Sequence, residues 1–187
     1  MKIDEILDSN EGDFEIFCNE LLKWGKIHSL SGYKNKFQIK GNIEDSLYPL
    51  SFINPFKNAL DIGSGAGFPS IALAIARKDA EFILIEPNNK KFSFLQIIKI
   101  KLNLKNIIIL KEKIENINLG VIESKVDLIT SRALYKREKI IALGKNLLQN
   151  DGYFLLYKGM NENKKDEEEI KYIRRKNRIY IYQKNLN

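Results

Sequence analysis

The 187-residue sequence has few of the residues that build disulfide, zinc or histidine-based sites. It contains one cysteine, Cys18, and one histidine, His28. A single cysteine excludes an intrachain disulfide, and no paired cysteines and histidines have the spacing of zinc ligands. These absences exclude disulfide-stapled secreted domains and zinc modules, and they favour the reducing environment of the cytoplasm.

Long apolar runs are also missing. Nowhere do eighteen uncharged apolar residues follow one another, and the N-terminal stretch MKIDEILDSNEGD is acidic and unlike a signal peptide. We therefore expect a soluble, unprocessed protein without a membrane segment. Hydrophobic residues make up 44% of the chain, which is sufficient for one core, so we expect a single domain over residues 1–187, acting as a monomer.

Positive charge is in excess, with a formal net charge of +7. A cationic surface attracts polyanions such as nucleic acid. The bias is sharpest between residues 171 and 184, where no acid accompanies Lys171, Arg174, Arg175, Lys176, Arg178 and Lys184. Two interpretations of this basic tail stay open: a solvated edge strand blunted by charge, or a surface that faces RNA.

The N-terminal third of the chain predicts a helical cap. Phe14, Phe17, Leu21 and Trp24 recur at spacings of three and four residues, which indicates an amphipathic helix over residues 13 to 28. Residues 31 to 56 lack strong periodicity and contain two glycines and two prolines, so we interpret them as a connecting segment. Residues 1–56 are thus expected to precede a separate core at 57–187.

From residue 57 onward, short apolar runs alternate with helical segments. The runs are nearly apolar throughout, as strands buried on both faces of a sheet require. We predict strands at 58 to 62, 82 to 86, 107 to 110, 126 to 130 and 153 to 157, and helices at 69 to 78, 89 to 102 and 136 to 149. This alternation predicts an α/β fold with a doubly wound, mostly parallel sheet. Beyond the fifth strand, KKDEEEIKY is expected to be helical and NRIYIYQK to form a final strand.

The stretch DIGSGAGFPS, residues 61 to 70, places three alternate glycines directly after the first predicted strand. Such a run costs backbone entropy unless the chain must turn sharply or let a ligand approach, and loops at this edge of a sheet bind ligands. The spacing matches neither the dinucleotide fingerprint nor the nucleotide-triphosphate loop. Asp61, Gly63, Gly65 and Gly67 are therefore candidate residues of another cofactor site.

An acid ends the second predicted strand, nineteen residues after Gly67. The carboxylate of Glu86 is suited to accept two hydrogen bonds from a ribose diol. Together, the loop and this acid resemble class I methyltransferases, which bind S-adenosylmethionine. The Asn/Asp-Pro-Pro-Tyr/Phe motif of amine methylation is absent after the fourth strand, and Cys18 lies too far away to serve as a nucleophile for pyrimidine carbon.

Further segments, in the same order along the chain, resemble the RsmG/GidB family, which methylates guanine N7 in small-subunit ribosomal RNA. The most specific are the Gly-Phe-Pro end of the loop and the Ser-Arg-Ala after the fourth strand. The others are LLKWGKIHSLS, IEDSL, KFSFLQIIKIKLNLKNI, KIEN and LLYKG. The resemblance covers nearly the whole chain and implies S-adenosylmethionine as cofactor and small-subunit ribosomal RNA, or an assembly particle, as partner.

The resemblance also implies roles for individual residues. Phe68 is expected beside the cofactor with the loop glycines, and Ile114 and Glu115 beside its adenine. Arg132 is expected to reach the cofactor and the reacting groups from the end of the fourth strand, and Lys158 to lie near the acceptor at the end of the fifth. Arg132 and Lys158 are the candidate catalytic residues, and no metal is expected.

Guanine N7 presents an in-plane lone pair, so this chemistry needs no general base. Catalysis would come from aligning N7, the methyl carbon and the sulfur. Two other classes of protein stay open from the sequence. One is a methyltransferase acting on a small molecule or a protein, and the other is a non-catalytic RNA-binding assembly factor that keeps a cofactor fold.

Overall fold

The computed structural model describes residues 2–28, 30–132, 134–160 and 170–185. Three helices come first and are followed by strands that alternate with three more helices. The helices are α1 (Ile3–Ser9), α2 (Glu11–His28), α3 (Lys36–Leu47), α4 (Ser70–Ala76), α5 (Asn89–Lys101) and α6 (Arg137–Gly144). The strands are β1 (Asn58–Ile62), β2 (Glu81–Ile85), β3 (Ile107–Leu110), β4 (Val126–Arg132), β5 (Leu148–Lys158), β6 (Ile170–Arg175) and β7 (Arg178–Lys184).

The strands form one seven-stranded sheet in the order β3-β2-β1-β4-β5-β7-β6. Strands β1 to β5 run parallel to one another, and β7 runs antiparallel to both β5 and β6. The strand order reverses between β1 and β4, so the loops after these strands meet at the carboxyl edge of the sheet. This arrangement confirms the predicted doubly wound, mostly parallel α/β fold.

Each face of the sheet carries its own hydrophobic cluster, because successive residues of a strand point to opposite faces. In β5, Leu155 belongs to the cluster beneath α2, α3, α4 and α5, whereas Leu156 belongs to the cluster beneath α6. Both side chains are fully buried. Burial on both faces explains why the strands are recognisable as continuous apolar runs.

The predicted N-terminal helix is confirmed by α2. Phe14, Phe17 and Leu21 are buried against the core, and Trp24 makes an edge-to-face contact with Phe94, with ring centroids 5.8 Å apart. Cys18 is fully buried on the same helix, which confirms that it is a packing residue. Burial, reinforced by the charge of nearby Glu15, raises the pKa of its thiol to about 11.

The interpretation of residues 31 to 56 as a connecting segment is wrong, because they contain the twelve-residue helix α3. Its N-cap is Asn35, whose side-chain oxygen accepts a hydrogen bond from the backbone amide of Gln38 at 3.0 Å. Ile39, Ile43 and Leu47 recur every four residues and are buried. The helix is stabilised by this cap and by tertiary packing.

Two predicted helices differ from the structure near the C-terminus. The helix expected over 136 to 149 ends at Gly144 and is followed by β5, which begins at Leu148. Of the segment KKDEEEIKY, residues 164–169 lie outside the described residues, while 170–172 are in β6 because this strand pairs with β7. The predicted final strand is confirmed by β7.

Within the described ranges, no helix has the length and apolarity to cross a bilayer.

Candidate cofactor and acceptor site

A cavity of about 1080 Å³ opens at the carboxyl edge of the parallel strands. Its walls come from the loop after β1, the ends of β2 and β4, the turn after β3, and α3. Ligands of doubly wound folds bind at this edge, near the point where strand order reverses. The volume lies at the upper end of the roughly 300–1,000 Å³ usual for small-molecule sites.

The glycine loop forms the floor of the cavity, and all three glycines have left-handed backbone angles. The φ angles are +75° at Gly63, +59° at Gly65 and +92° at Gly67. The loop is held to β2, because the backbone amides of Gly63 and Ser64 both donate to the carbonyl of Ile85 at 3.0 Å. The predicted sharp turn is thus present at the predicted place.

The three glycines differ in what a side chain would contact. A Cβ at Gly63 would lie 2.6 Å from the side chain of Leu134, and one at Gly67 would lie 2.7 Å from Ile71. A Cβ at Gly65 would meet only the carbonyl oxygen of Gly63, at 3.7 Å. Gly63 and Gly65 line the cavity, whereas Gly67 permits close packing behind it.

Asp61 lies beneath the loop and is not one of the cavity-lining residues. Its Oδ1 accepts a hydrogen bond of 2.7 Å from the hydroxyl of Thr130, while Oδ2 is buried and makes no hydrogen bond among the described residues. Burial raises the pKa of this carboxyl to about 6, against the opposing effect of the Thr130 hydrogen bond. Asp61 is placed to support the loop from below.

Glu86 follows β2 and lines the cavity next to the loop. Its Oε2 accepts from the backbone amide of Gly65, and its Oε1 accepts from that of Asn88, both at 2.8 Å. The side chain is therefore fixed on both sides, while each carboxylate oxygen keeps a further lone pair. The structure brings together the two features, loop and strand-end acid, that sequence analysis paired.

Arg132 and Phe68 lie next to each other in the wall of the cavity. The Arg132 guanidinium lies 5.6 Å from the ring centroid of Phe68, and its Nη2 donates to Asn42 on α3. Its Nη1 lies 3.7 Å from the Asp45 carboxylate. Burial, with a smaller contribution from the charge of Arg178, lowers the pKa of Arg132 below its ordinary value. Both predicted residues line the cavity.

The remaining predicted residues are divided between the cavity and its border. Ile114 and Glu115 line the cavity from a short 3-10 turn after β3. The Glu115 carboxylate lies 3.7 Å from the ammonium of Lys139. Lys158 ends β5, as predicted, but it is not a lining residue, and its ammonium donates to the carbonyl of Tyr135. Among the described residues, no cluster of His, Cys, Asp or Glu could hold a metal ion.

The cavity wall that α3 and the residues before it contribute was not predicted from the sequence. Tyr33, Phe37, Gln38 and Asn42 all line the cavity, and three of them lie on one face of the helix. A usable signal was present, since Asn35 followed three residues later by Gln38 is a helix-start pattern. Gln38 Oε1 indeed accepts from the backbone amide of Lys34 at 2.8 Å.

The basic tail forms the hairpin of β6 and β7, and β6 is the edge strand of the sheet. Arg178 donates to the Asp45 carboxylate at 2.9 Å, and Arg175 lies 3.7 Å from that of Glu44. These two cations therefore join the hairpin to α3. Lys176 is exposed and lines the cavity, and its ammonium lies 3.5 Å from the Glu44 carboxylate, so one cation of the tail reaches the site while paired with α3.

Comparison with known proteins shows relatives along almost the whole chain. Residues 10–184 match the GidB family model, described as rRNA small subunit methyltransferase G. A protein of that name from Helicobacter hepaticus is 47% identical over 173 residues, covering 90% of this chain and 92% of the relative. One from Aliarcobacter butzleri is 40% identical over 178 residues, covering 93% and 90% respectively.

Solved structures with low sequence identity share the fold. A SAM dependent methyltransferase from Aquifex aeolicus superposes with a TM-score of 0.59 at 18% identity, covering 76% of this chain and 90% of that one. A ribosomal protein L11 methylase from Lactobacillus delbrueckii gives 0.56 at 13% identity, covering 83% and 81%. The fold is that of class I methyltransferases, and the family match and the relatives together show that this chain belongs to the GidB family of small-subunit rRNA methyltransferases.

Proposed function

We propose that this protein transfers the methyl group of S-adenosylmethionine to N7 of a guanine in small-subunit ribosomal RNA. The match to the small-subunit rRNA methyltransferase G family carries the choice of acceptor, and the engagement of both lining carboxylates supports it. Glu86 already accepts two backbone amides, and Glu115 lies beside Lys139. Guanine N7 has a free lone pair, so its methylation requires no proton acceptor.

The residues of the floor fit the cofactor. Open space above Gly65, a left-handed backbone there and the remaining lone pairs of Glu86 suit a ligand that approaches the backbone and carries a ribose diol. Gly63, Gly65 and Glu86 would hold its ribose and methionine portions, and Ile114 and Glu115 its adenine. When bound, S-adenosylmethionine supplies an electrophilic methyl group on a sulfonium ion.

The protein contributes orientation and charge. Arg132 is fixed by Asn42, Asp45 and Phe68 from three sides, so its guanidinium is preorganised at the cavity wall. A group held in this way orients an acceptor at no further entropic cost at the moment of reaction. Lys158 acts indirectly, through Tyr135. Its ammonium fixes the carbonyl of Tyr135, and Tyr135 lines the cavity.

A single copy of the chain in the cytoplasm is the form we propose to be active. N7 lies in the major groove, which is deep and narrow in an RNA helix. The target guanine is therefore expected in a loop, a bulge or a distorted helix.

Methyl transfer to purified ribosomal RNA tests the proposal. We expect label from S-adenosylmethionine in small-subunit RNA, recovered as 7-methylguanosine by nucleoside mass spectrometry. RNA transcribed with 7-deazaguanosine is the matched control, since it keeps the base-pairing edge of guanine but has a C–H in place of N7. Transfer to the deaza RNA at the normal rate would contradict the choice of N7.

The same assay separates the other classes. Label that enters a metabolite or protein pool and never RNA would favour a methyltransferase with a different substrate. RNA binding that is unaffected by S-adenosylmethionine, with no methyl incorporation into any pool, would favour a non-catalytic assembly factor. Mapping the ribosomal RNA of cells with and without the gene then identifies the guanine.

A further inference from the structure

Phe37 is an aromatic residue whose exposure the fold does not explain. Its side chain is 86% exposed, the largest value among the large hydrophobic residues that the structure describes. It lies in the first turn of α3 and lines the cavity. An exposed aromatic ring at the wall of a ligand cavity provides a face on which a planar group can stack.

The helix leaves space beside this ring. Gly41 comes one turn after Phe37 on the same face of α3, and a Cβ built there would meet no atom within 4 Å. Gln38 and Asn42, which lie next to these two residues, line the same wall. The Asn42 amide is engaged, because its oxygen accepts from Arg132 and its nitrogen donates to the carbonyl of Gln38. Phe37 and the open space at Gly41 are therefore adjacent on one helix.

The cavity has room for an acceptor in addition to a cofactor. The groups assigned to the cofactor, Gly65, Glu86 and Ile114, lie in the loops that follow β1, β2 and β3, whereas Phe37 comes from the helical cap. On α3, Phe37 presents apolar surface that no proposed cofactor contact uses.

We propose that Phe37 is the stacking platform for the target guanine, which leaves its own base stack and lies in the notch at Gly41. This inference rests on the proposed function, because it assigns the acceptor subsite of the same cavity. Enzymes that modify a base commonly read it after extrusion, between apolar or aromatic side chains. Stacking on Phe37 would present the edge of the base to the methyl group.

Three substitutions at Phe37 separate stacking from simple apolar contact. Phe37→Ala and Phe37→Leu should each lower kcat/KM for ribosomal RNA about 5- to 150-fold, the range expected for loss of one aromatic-base stack. Phe37→Trp, which keeps a planar ring, should stay within about threefold of the wild type. Affinity for S-adenosylmethionine, measured by calorimetry, should be unchanged in all three variants.

Ile100→Ala is the matched control, since Ile100 is 75% exposed at the far end of α5 and does not line the cavity.

Filling the notch provides a second, independent test. Gly41→Leu should reduce methyl transfer roughly tenfold or more, because a displaced base is poorly aligned, and it should leave cofactor affinity intact. Gly12→Leu is its control, since Gly12 is also helical with nothing within 4 Å of a built Cβ but lies outside the cavity lining. Thermal unfolding of each variant checks that it is folded.

Several outcomes would overturn the inference. Phe37→Ala with wild-type kcat/KM, or Phe37→Leu retaining activity as well as Phe37→Trp, would exclude stacking. Loss of cofactor affinity in Phe37→Ala would move the residue to the cofactor subsite. These results differ from failure of the proposed function itself, in which the wild type transfers no methyl group to RNA and both proposals fall.

Discussion

Gly65 is the loop position at which the effect of a side chain on ligand binding can be measured separately from its effect on stability. At its neighbours Gly63 and Gly67, a Cβ would come within 3 Å of the side chain of Leu134 or Ile71, so a substitution there requires these side chains to move. Gly65 faces open cavity, and its φ angle of +59° is the only local reason for glycine. A substitution at Gly65 therefore tests the cofactor subsite with the least structural damage.

We expect Gly65→Ala to lose about 1–2 kcal/mol of stability, the usual cost of a left-handed backbone for a residue with a Cβ. Gly65→Asn should be closer to the wild type in stability, because asparagine tolerates this region better. Both variants should bind S-adenosylmethionine at least about tenfold more weakly, since their side chains enter the cavity. Calorimetric titration and thermal unfolding measure the two effects. Normal affinity in Gly65→Asn would contradict a cofactor at this floor.

Asp61 predicts a specific dependence of stability on pH. Its pKa is about 6 in the folded protein, against an ordinary value of 3.8. The folded state therefore binds the proton more tightly, and the carboxyl destabilises the fold increasingly as pH rises from about 4 to 6. The full cost, about 3 kcal/mol, is present above that range and absent below it.

Asp61→Asn should remove this dependence, because an asparagine oxygen can still accept from Thr130 and carries no charge. At pH 7 the variant should be more stable than the wild type, and the advantage should shrink by about 3 kcal/mol when the pH is lowered to 4. Urea unfolding of both proteins across this range is the measurement. A difference that stays constant with pH would mean that burial does not raise the pKa of this carboxyl.

At the scale of elements, α3 is both a wall of the cavity and a helix tied to the sheet. Asp45 makes the principal connection: its carboxylate accepts from Arg178 at 2.9 Å and from the Tyr180 hydroxyl at 2.6 Å, and it lies near Arg132. Glu44, the preceding residue, pairs with the more exposed Arg175 and Lys176. Adjacent acids thus make ion pairs of very different burial.

We expect Asp45→Ala to cost about 3 kcal/mol or more of unfolding free energy, because it leaves two largely buried arginines without their carboxylate. Glu44→Ala is the matched control and should cost at most about 1 kcal/mol, as is usual for exposed pairs. Chemical denaturation compares the two. Equal, small losses would show that α3 is held by its apolar residues alone.

The helices and strands show what local sequence can and cannot predict. The core strands were identifiable because burial on both faces demands apolar runs, and β1 and β3 match the predicted bounds. α3 was missed because only Ile39, Ile43 and Leu47 mark its buried face, with Gly41 between them, so its stability depends on partners that are distant in the chain. The site residues that follow strand ends were predicted from the sequence. Those that α3 contributes were not.

On the scale of the whole molecule, the sheet has two edges, and the candidate site lies at the carboxyl edge. The carboxyl edge carries the cavity with Lys91, Lys113 and Lys176 among its lining residues. The amino edge carries exposed lysines as well, including Lys57 before β1 and Lys105 before β3. The net charge of +7 is therefore distributed over both edges, so net charge alone does not identify the cations that we expect to contact RNA.

Replacing Lys91 and Lys113 together with alanine should weaken RNA binding and reduce the slope of log affinity against log salt by about 1.4–1.8, as expected for two lost phosphate contacts. The Lys57→Ala and Lys105→Ala pair removes the same charge from the opposite edge and should leave the slope nearly unchanged. Filter binding over a salt series measures both pairs. Equal effects would mean that binding responds to net charge and not to the site.

The buried thiol of Cys18 has a practical consequence for spectroscopy. Only a thiolate reacts readily with maleimides or iodoacetamides, and a group with a pKa of about 11 inside the core is neither ionised nor reachable at neutral pH. Because the chain has no other cysteine, we expect the natural protein not to react with thiol-specific labels. A fluorophore or spin label attached at Lys113→Cys would report from the cavity mouth alone, without first removing a native cysteine.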